Sequence, residues 1–95
     1  MNLELTSSAQ LDAAQAAVTY EIEEPGLGTA FEAELDAVLV RIADGPLHFP
    51  VLENDVRRAL LKRFPFGVFF VAIPDTISVI AVLHLHRHPD TWRQR

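Results

Sequence analysis

The hydrophobic period of the chain changes at one point, Asp44-Gly45-Pro46, and this change limits the folds that the chain can adopt. Before it, apolar residues recur every three or four positions, which is typical of helices with one buried face. After it, they alternate or run continuously and include many β-branched types, which favours strands. We therefore expect an α+β fold, with helices packed on a sheet. A chain of 95 residues suffices for one such domain, spanning residues 1–95.

Two helices are predicted in the first half of the chain. Ser7 or Ser8 is expected to cap the first and Thr29 the second. The first ends at Pro25-Gly26, because proline cannot continue a helix, and the short connection predicts an antiparallel helical hairpin. The stripes expected to face the core are Leu11, Ala14, Val18 and Ile22 in the first helix and Phe31, Leu35, Val38 and Ile42 in the second.

Four strands are predicted around the two helices. A short first strand contains Leu3 and Leu5, and the others span residues 56–63, 67–73 and 76–86. The segment 56–63 also fits a helix, whereas 67–73 is apolar throughout and predicts a buried central strand. The resulting order is β-α-α-β-β-β, a helical hairpin packed on one face of a mostly antiparallel four-stranded sheet.

One face of this sheet lacks a cover in the predicted fold. The last strand and the central strand are partly apolar on both sides, and a pair of helices can cover only one side. An uncovered apolar face normally marks a site for a partner, and Phe70, Ile80 and Val82 are assigned to it. The alternative is that the basic tail and Trp92 fold back over this face.

Charge is distributed unevenly along the chain. Residues 1–55 contain eleven acids and one base, a formal charge of −10, and residues 56–95 contain seven bases and two acids, a charge of +5. Six of these seven bases are arginine, whose side chain can contact phosphate or carboxylate through two nitrogens. The asymmetry predicts one basic working face and one acidic solvated face, unless the two halves neutralise each other on the folded surface.

The first candidate for chemistry is a basic run in residues 57–63. In a strand, Arg58 and Lys62 would share one face, with Arg57 and Arg63 on the other. Four cations at this spacing could follow the backbone of a polyanion. The alternative is an edge strand that its charges protect from aggregation.

The second candidate is the cluster His84, His86 and His88, with Arg87 among them. A histidine beside arginine could serve as general acid or base in phosphodiester cleavage. The same spacing could hold zinc, but too few other ligands lie nearby, and we expect no metal site and no cofactor. The chain has no cysteine, which excludes disulfides and thiol chemistry. The alternative is a strand end with solvated polar side chains.

Taken together, these segments resemble the RelE/ParE family of toxins from type II toxin–antitoxin systems, often called plasmid stabilisation proteins. The resemblance covers nearly the whole chain. The matching segments are Pro25-Gly26-Leu27-Gly28 with Phe31, Pro46 with Phe49-Pro50, the run Arg57-Arg58 to Arg63-Phe64-Pro65-Phe66, the strand 77–82, and His84, Arg87, Pro89, Trp92 and Arg95. The resemblance implies the β-α-α-β-β-β fold, a cognate antitoxin and toxicity by one of two routes. RelE-like members cut messenger RNA in the ribosome, and ParE-like members block DNA gyrase.

The chain departs from the nuclease branch of that family. Phe66 and Phe70 stand where relatives commonly have tyrosine, and the net charge of −5 contrasts with strongly basic nucleases. We therefore expect ParE-like gyrase inhibition without bond chemistry. The alternatives are a ribosome-dependent messenger RNA endonuclease and a degenerate toxin that only binds antitoxin. Candidate catalytic residues for the nuclease are Arg58, Arg63, Arg87, His84 and His86.

The uncovered apolar face and the basic half of the chain predict two binding surfaces, and the resemblance implies their partners. Residues assigned to target binding are Arg58, Arg63, Arg87 and Trp92. Residues assigned to antitoxin binding are Phe70, Ile80 and Val82. We expect a cytoplasmic protein without a membrane segment, held in a hetero-oligomer with its antitoxin.

Overall fold

The computed structural model describes residues 1–95. Two helices pack on one face of a single sheet, so the α+β class predicted from the sequence is confirmed. The helices are α1 (Ser7–Glu23) and α2 (Leu27–Asp44), and the strands are β1 (Asn2–Leu5), β2 (Val51–Glu53), β3 (Val56–Leu60), β4 (Phe66–Ile73) and β5 (Thr76–His84). Short 3-10 turns span Pro46–His48 and Thr91–Gln94, and the latter is called the C-terminal turn below. Neither helix has the length and apolar character needed to cross a membrane.

The sheet has five strands rather than the predicted four. Its order is β1-β5-β4-β3-β2, with β1 parallel to β5 and all other neighbours antiparallel. The additional strand is β2, which forms a tight hairpin with β3. Asn54 and Asp55 occupy the turn with φ of 52° and 65°, as a two-residue hairpin turn requires. A three-residue strand is too short to produce a periodic sequence signal.

Strand β3 ends at Leu60, so the prediction that it continues to Arg63 is wrong. Leu61 turns into the core, and the backbone N–H groups of Lys62 and Arg63 donate to the carboxylate of Glu34 on α2. These bonds fasten the β3–β4 loop to the helical layer. Two cations of the basic run therefore lie in a loop and do not alternate across a strand.

The predicted inward stripe of α1 is wrong. Leu11 and Val18 are each 58% exposed and Ile22 is 79% exposed, while the buried residues of this helix are Ala9 and Ala16. Alanine lets the helix approach its neighbours closely, and tertiary packing overrides the pattern of larger apolar side chains. The cap is also corrected, because the Thr6 hydroxyl, not Ser7 or Ser8, accepts the Ala9 N–H at 3.1 Å.

Helix α2 follows its sequence pattern, and the antiparallel hairpin forms as expected. Its stripe is buried in the main core: Phe31, Leu35, Val38 and Ile42. The helix starts at Leu27, earlier than predicted, and its N-cap is Gly26 with φ of 92° rather than Thr29. The Glu21 carboxylate accepts the N–H groups of Gly26 and Gly28 at 2.8 and 3.0 Å, which closes the joint between the helices.

A β-bulge in β5 changes which side chains face the helices. Phe69 pairs with Ala81 and Phe70 with Val79, so Ile80 has no partner on β4. The extra residue shifts the alternation, and Val82 joins Phe70 in the core beneath the helices. Both side chains are fully buried. The prediction that Phe70 and Val82 share an open face with Ile80 is therefore wrong.

The second face of the sheet is covered by the tail, which is the alternative raised from the sequence. The indole of Trp92 stacks on Phe69 with 5.4 Å between ring centroids and 12° between planes. This small core, called the second-face core below, contains Val56, Phe69, Ala81, Leu83 and Trp92. Ile80 packs at its margin.

Candidate functional site

One end of the sheet gathers most of the basic candidates. The Leu85 N–H donates to the Pro65 carbonyl at 2.8 Å, which joins the segment after β5 to the β3–β4 loop. Arg63 on that loop and Arg87 after β5 therefore lie at the same end of the sheet. The basic end, as defined here, consists of Arg63, His84, His86, Arg87 and His88.

An aromatic cluster forms the floor of the basic end. Tyr20 of α1 contacts Phe31, Phe64 and Phe66, with ring centroids 5.5, 4.8 and 6.0 Å away. The Arg63 guanidinium lies over the Phe64 ring at 5.7 Å. These contacts hold one cation against a rigid apolar base and leave its hydrogen-bond donors outside the core.

His84 organises the turn that carries Arg87. Its Nδ1 accepts the backbone N–H groups of His86 and Arg87 at 3.1 and 3.2 Å, and its carbonyl accepts the His88 N–H at 3.0 Å. Nδ1 is therefore unprotonated, and the neutral ring carries its proton on Nε2. Burial lowers the pKa of His84 further below its usual range, and the cation of Arg87 acts in the same direction.

A cavity of about 390 Å³ opens between α1, the end of β5 and the C-terminal turn. Tyr20, His84 and Arg87 line it, together with Glu23 of α1. Burial and the neighbouring Glu23 raise the pKa of Tyr20, while Arg87 opposes them, so the phenol remains a neutral hydrogen-bond donor. Arg87 forms no ion pair, and its charge is free to meet a ligand.

The opposite wall of this cavity is an ion pair that the sequence analysis missed. Arg95 donates twice to the Asp12 carboxylate at 2.8 and 3.1 Å and once to the Ile80 carbonyl at 3.0 Å. Asp12 also accepts the Val82 N–H at 3.0 Å. The pair thus satisfies backbone groups beside the bulge. Its hydrogen bond to Asp12 raises the pKa of Arg95. No local motif signals a contact between residues 83 positions apart.

Arg58 lies on the second face of the sheet. It follows Val56 there and packs beside Phe69 and Gly67. Its Nε is buried and has no hydrogen-bond partner. The three arginines predicted as one target-binding set are therefore divided between the second face and the basic end.

Trp92 is not available as the exposed anchor that the sequence analysis assigned to target binding. It is buried against Phe69, and its Nε1 donates to the Pro89 carbonyl at 3.0 Å. Phe70 and Val82, which the sequence analysis assigned to antitoxin binding, are likewise buried in the core and do not present a surface to an antitoxin. Ile80 is the one member of that group that is partly exposed, and it lines an open groove on the second face.

The groove beside Ile80 has a volume of about 210 Å³ and lies on the second face. Its apolar lining includes Val71 and Ile80, with Trp92 at its base. Arg93 forms its rim, pairing with Glu53 at 3.0 Å and lying over the Trp92 ring at 5.1 Å. An apolar side chain of a partner could pack in this groove, beside the charged side chain of Arg93 at its edge.

The histidines do not form a metal centre. No group of three or more histidine, aspartate or glutamate side chains lies close enough together to hold a metal ion. The ring centroids of His84 and His86 are 5.8 Å apart, and the Nδ1 of His84 is already committed to backbone N–H groups.

Comparison with known proteins identifies the fold. No protein-family model matches the sequence, and no curated protein matches it. Among solved structures, the chain is similar to a chain of the chromosomal ParDE TA system from P. aeruginosa, with a TM-score of 0.80 and 18% identity. The match covers 88% of this chain and 95% of the other. At this identity the likeness establishes a shared fold across nearly the full length of both chains.

Proposed function

We propose that this chain is the toxin of a type II toxin–antitoxin system, that a cognate antitoxin neutralises it, and that it acts by binding DNA gyrase. The observation that carries the proposal is the near-complete match to a chain of a ParDE TA system, at a TM-score of 0.80. The segments that resemble RelE/ParE toxins in sequence point to the same class. The protein would work in the cytoplasm, where gyrase acts, within a hetero-oligomer until the antitoxin is lost.

The state of His84 supports binding rather than cleavage. A nuclease needs a proton acceptor near the attacking 2′-hydroxyl. The Nδ1 of His84 accepts two backbone N–H groups, and its Nε2 carries the proton, so neither nitrogen is free to act as a base. His86 and His88 remain, but both are exposed and neither side chain makes a hydrogen bond that would orient it. Inhibition of gyrase by binding requires no such proton acceptor.

The proposed target surface is the basic end. Arg63 and Arg87 present unpaired guanidinium groups beside a rigid aromatic floor, and rigid arginines often dominate binding energy. Arg58 would contribute only to a contact that extends over the second face. Trp92 supports that face from within, and its part in target binding is indirect.

The proposed antitoxin surface is the groove beside Ile80. Of the residues first assigned to the antitoxin, only Ile80 lies where another chain could reach it. An apolar side chain of the antitoxin could occupy the groove between Val71 and Ile80. We expect Ile80→Asp to weaken antitoxin binding without disturbing the helical face of the core.

The test compares two assays on the purified full chain. We expect inhibition of gyrase-catalysed supercoiling, relieved by the protein encoded in the neighbouring reading frame, and no cleavage of messenger RNA on programmed ribosomes. Arg87→Ala should weaken inhibition at least about tenfold. The matched control is Arg41→Ala, an exposed arginine on α2. Ribosome-dependent cleavage with unaffected gyrase would overturn the proposed mechanism, and failure of both assays would overturn the toxin assignment.

A further inference from the structure

The cavity between α1, the end of β5 and the C-terminal turn has walls of balanced charge. Its volume of about 390 Å³ lies at the lower end of the range of small-molecule sites. With histidine counted as neutral, its charged lining residues are two acids, Asp12 and Glu23, and two bases, Arg87 and Arg95. A cavity with this balance gives no advantage to a purely anionic ligand such as a nucleic-acid phosphate.

Only two of these four charges are free to meet a ligand. Arg95 and Asp12 bind each other, and Asp12 also accepts the Val82 N–H. Glu23 and Arg87 form no ion pair, either with other residues or with each other, although both line the cavity. The cavity therefore presents one free carboxylate and one free guanidinium at separate positions.

Tyr20 lies near both free charges. Burial raises the pKa of Tyr20, the carboxylate of Glu23 acts in the same direction, and the cation of Arg87 opposes them. The phenol remains protonated at neutral pH and can donate a hydrogen bond. Contacts with three aromatic rings, including Phe66 at 6.0 Å between centroids, hold this donor in place.

His84 supplies a second neutral donor beside Arg87. Its Nδ1 accepts the Arg87 N–H at 3.2 Å, so the proton on Nε2 is the one that a ligand can use. Its ring packs edge-on against Phe66, with 5.4 Å between centroids. The rings of Tyr20 and His84 thus both pack against Phe66, an apolar side chain that also lines the cavity. Donors that are already fixed lose little entropy when a ligand binds.

We infer that this cavity binds a small molecule that carries one carboxylate and one amine joined by a short aliphatic spacer. The carboxylate accepts from Arg87, Tyr20 and His84, a set that combines a cation with two neutral donors. The amine donates to Glu23, and the spacer lies over Phe66. A spacer is required because Glu23 and Arg87 do not pair with each other, so the two charges of the ligand must be separated. The ligand class is therefore an ω-amino acid.

This site is a different property of the chain from gyrase inhibition, and it does not rest on the proposed function. Its ligand binds the isolated chain, with neither gyrase nor an antitoxin present. Arg87 also belongs to the basic end, so a ligand in the cavity would compete with any target that uses this arginine.

The first experiment is a nuclear magnetic resonance titration of the purified full chain. The probes are β-alanine, γ-aminobutyrate and ε-aminocaproate, each compared with the monocarboxylate and the monoamine of the same carbon chain. We expect at least one ω-amino acid to shift the amide resonances of residues that line the cavity. Its dissociation constant should be on the order of millimolar or lower, and at least about tenfold below those of its two analogues.

The second experiment repeats the titration with variants of the free groups. Arg87→Gln should weaken binding of the ω-amino acid at least about tenfold, and Arg41→Gln, an exposed arginine outside the cavity, should not. Glu23→Gln should weaken the ω-amino acid but strengthen the monocarboxylate, because it removes a like charge; Glu24→Gln is its matched control. Tyr20→Phe, which keeps the aromatic contacts, should weaken binding about threefold. Circular dichroism verifies that each variant folds.

The opposite response of the two ligands to Glu23→Gln is the decisive result. Equal binding of the ω-amino acid and the monocarboxylate, or a change in the same direction for both in Glu23→Gln, would contradict recognition of the amine. The absence of shifts at the cavity with every probe, or an unchanged affinity in Arg87→Gln, would exclude the site. Either failure leaves the proposed action on gyrase intact, and a failed gyrase assay leaves this binding result intact.

Discussion

His84 shows how one side chain can have a structural role at a position where its type and spacing favour catalysis. The sequence places it in a histidine cluster beside Arg87, and the structure uses its Nδ1 to fix the turn that presents Arg87. A proton on Nδ1 would remove both hydrogen bonds. His84, which resembles a catalytic base in the sequence, therefore serves to position Arg87.

We predict that this arrangement makes folding stability sensitive to acid. The pKa of His84 is lowered in the folded state, so the unfolded chain binds more protons as the pH falls below about 6.5. The stabilising contribution of neutral His84 is fully present above that pH. It is lost as the pH falls toward the lowered pKa of His84 in the folded state. Urea unfolding between pH 5 and 8 should show a decline that His84→Asn reduces.

The control for this prediction is His86→Asn, which leaves the backbone donors to His84 in place. It should retain the decline of the wild-type chain. An identical pH dependence for His84→Asn and the wild type would contradict the structural role of His84.

At the scale of elements, α1 and α2 approach each other closely at Gly28. Gly28 is buried against α1, where an added Cβ would clash with the Ala17 carbonyl oxygen and lie 2.9 Å from the Glu21 Cβ. Leucine or isoleucine between these helices would force them apart.

We predict that Gly28→Ala lowers the free energy of unfolding by about 1–3 kcal/mol, because backbone and not a flexible side chain meets the new methyl group. Chemical denaturation measures this loss. Thr29→Ala, at the adjacent exposed position, should change stability by less than about 0.5 kcal/mol. An equal or smaller effect of Gly28→Ala would show that the helices can separate at no cost.

At the scale of the whole molecule, the Asp12–Arg95 pair ties the first helix to the end of the chain. It also satisfies the Val82 N–H and the Ile80 carbonyl beside the bulge. The C-terminal turn that it anchors places Trp92 over the second face. One largely buried ion pair therefore connects the helical layer, the sheet and the tail.

We predict that Asp12→Ala lowers the free energy of unfolding by about 1–3 kcal/mol, since it removes the acceptor of the Val82 N–H and leaves the Arg95 guanidinium without its partner. Asp36→Ala, on the exposed face of α2, should cost less than about 0.5 kcal/mol. Equilibrium unfolding in urea, followed by tryptophan fluorescence, reports the loss because the only tryptophan is Trp92. A change of similar size for both variants would exclude the anchoring role.

Local sequence determined the helical hairpin, the stripe of α2, the central strand and the α+β class, because periodicity and turn residues act over a few positions. Tertiary structure alone decided the inward face of α1, the short strand β2, the bulge at Ile80 and the burial of Trp92. Each of these depends on a contact between distant parts of the chain, such as Gly28 on Ala17, Trp92 on Phe69 or Arg95 on Asp12. The neighbours of a side chain in the sequence do not determine which surface it will contact in the fold. Only the tertiary structure therefore showed that Arg58 lies on the second face, away from the loop that carries Arg63, and that Phe70 and Val82 are buried.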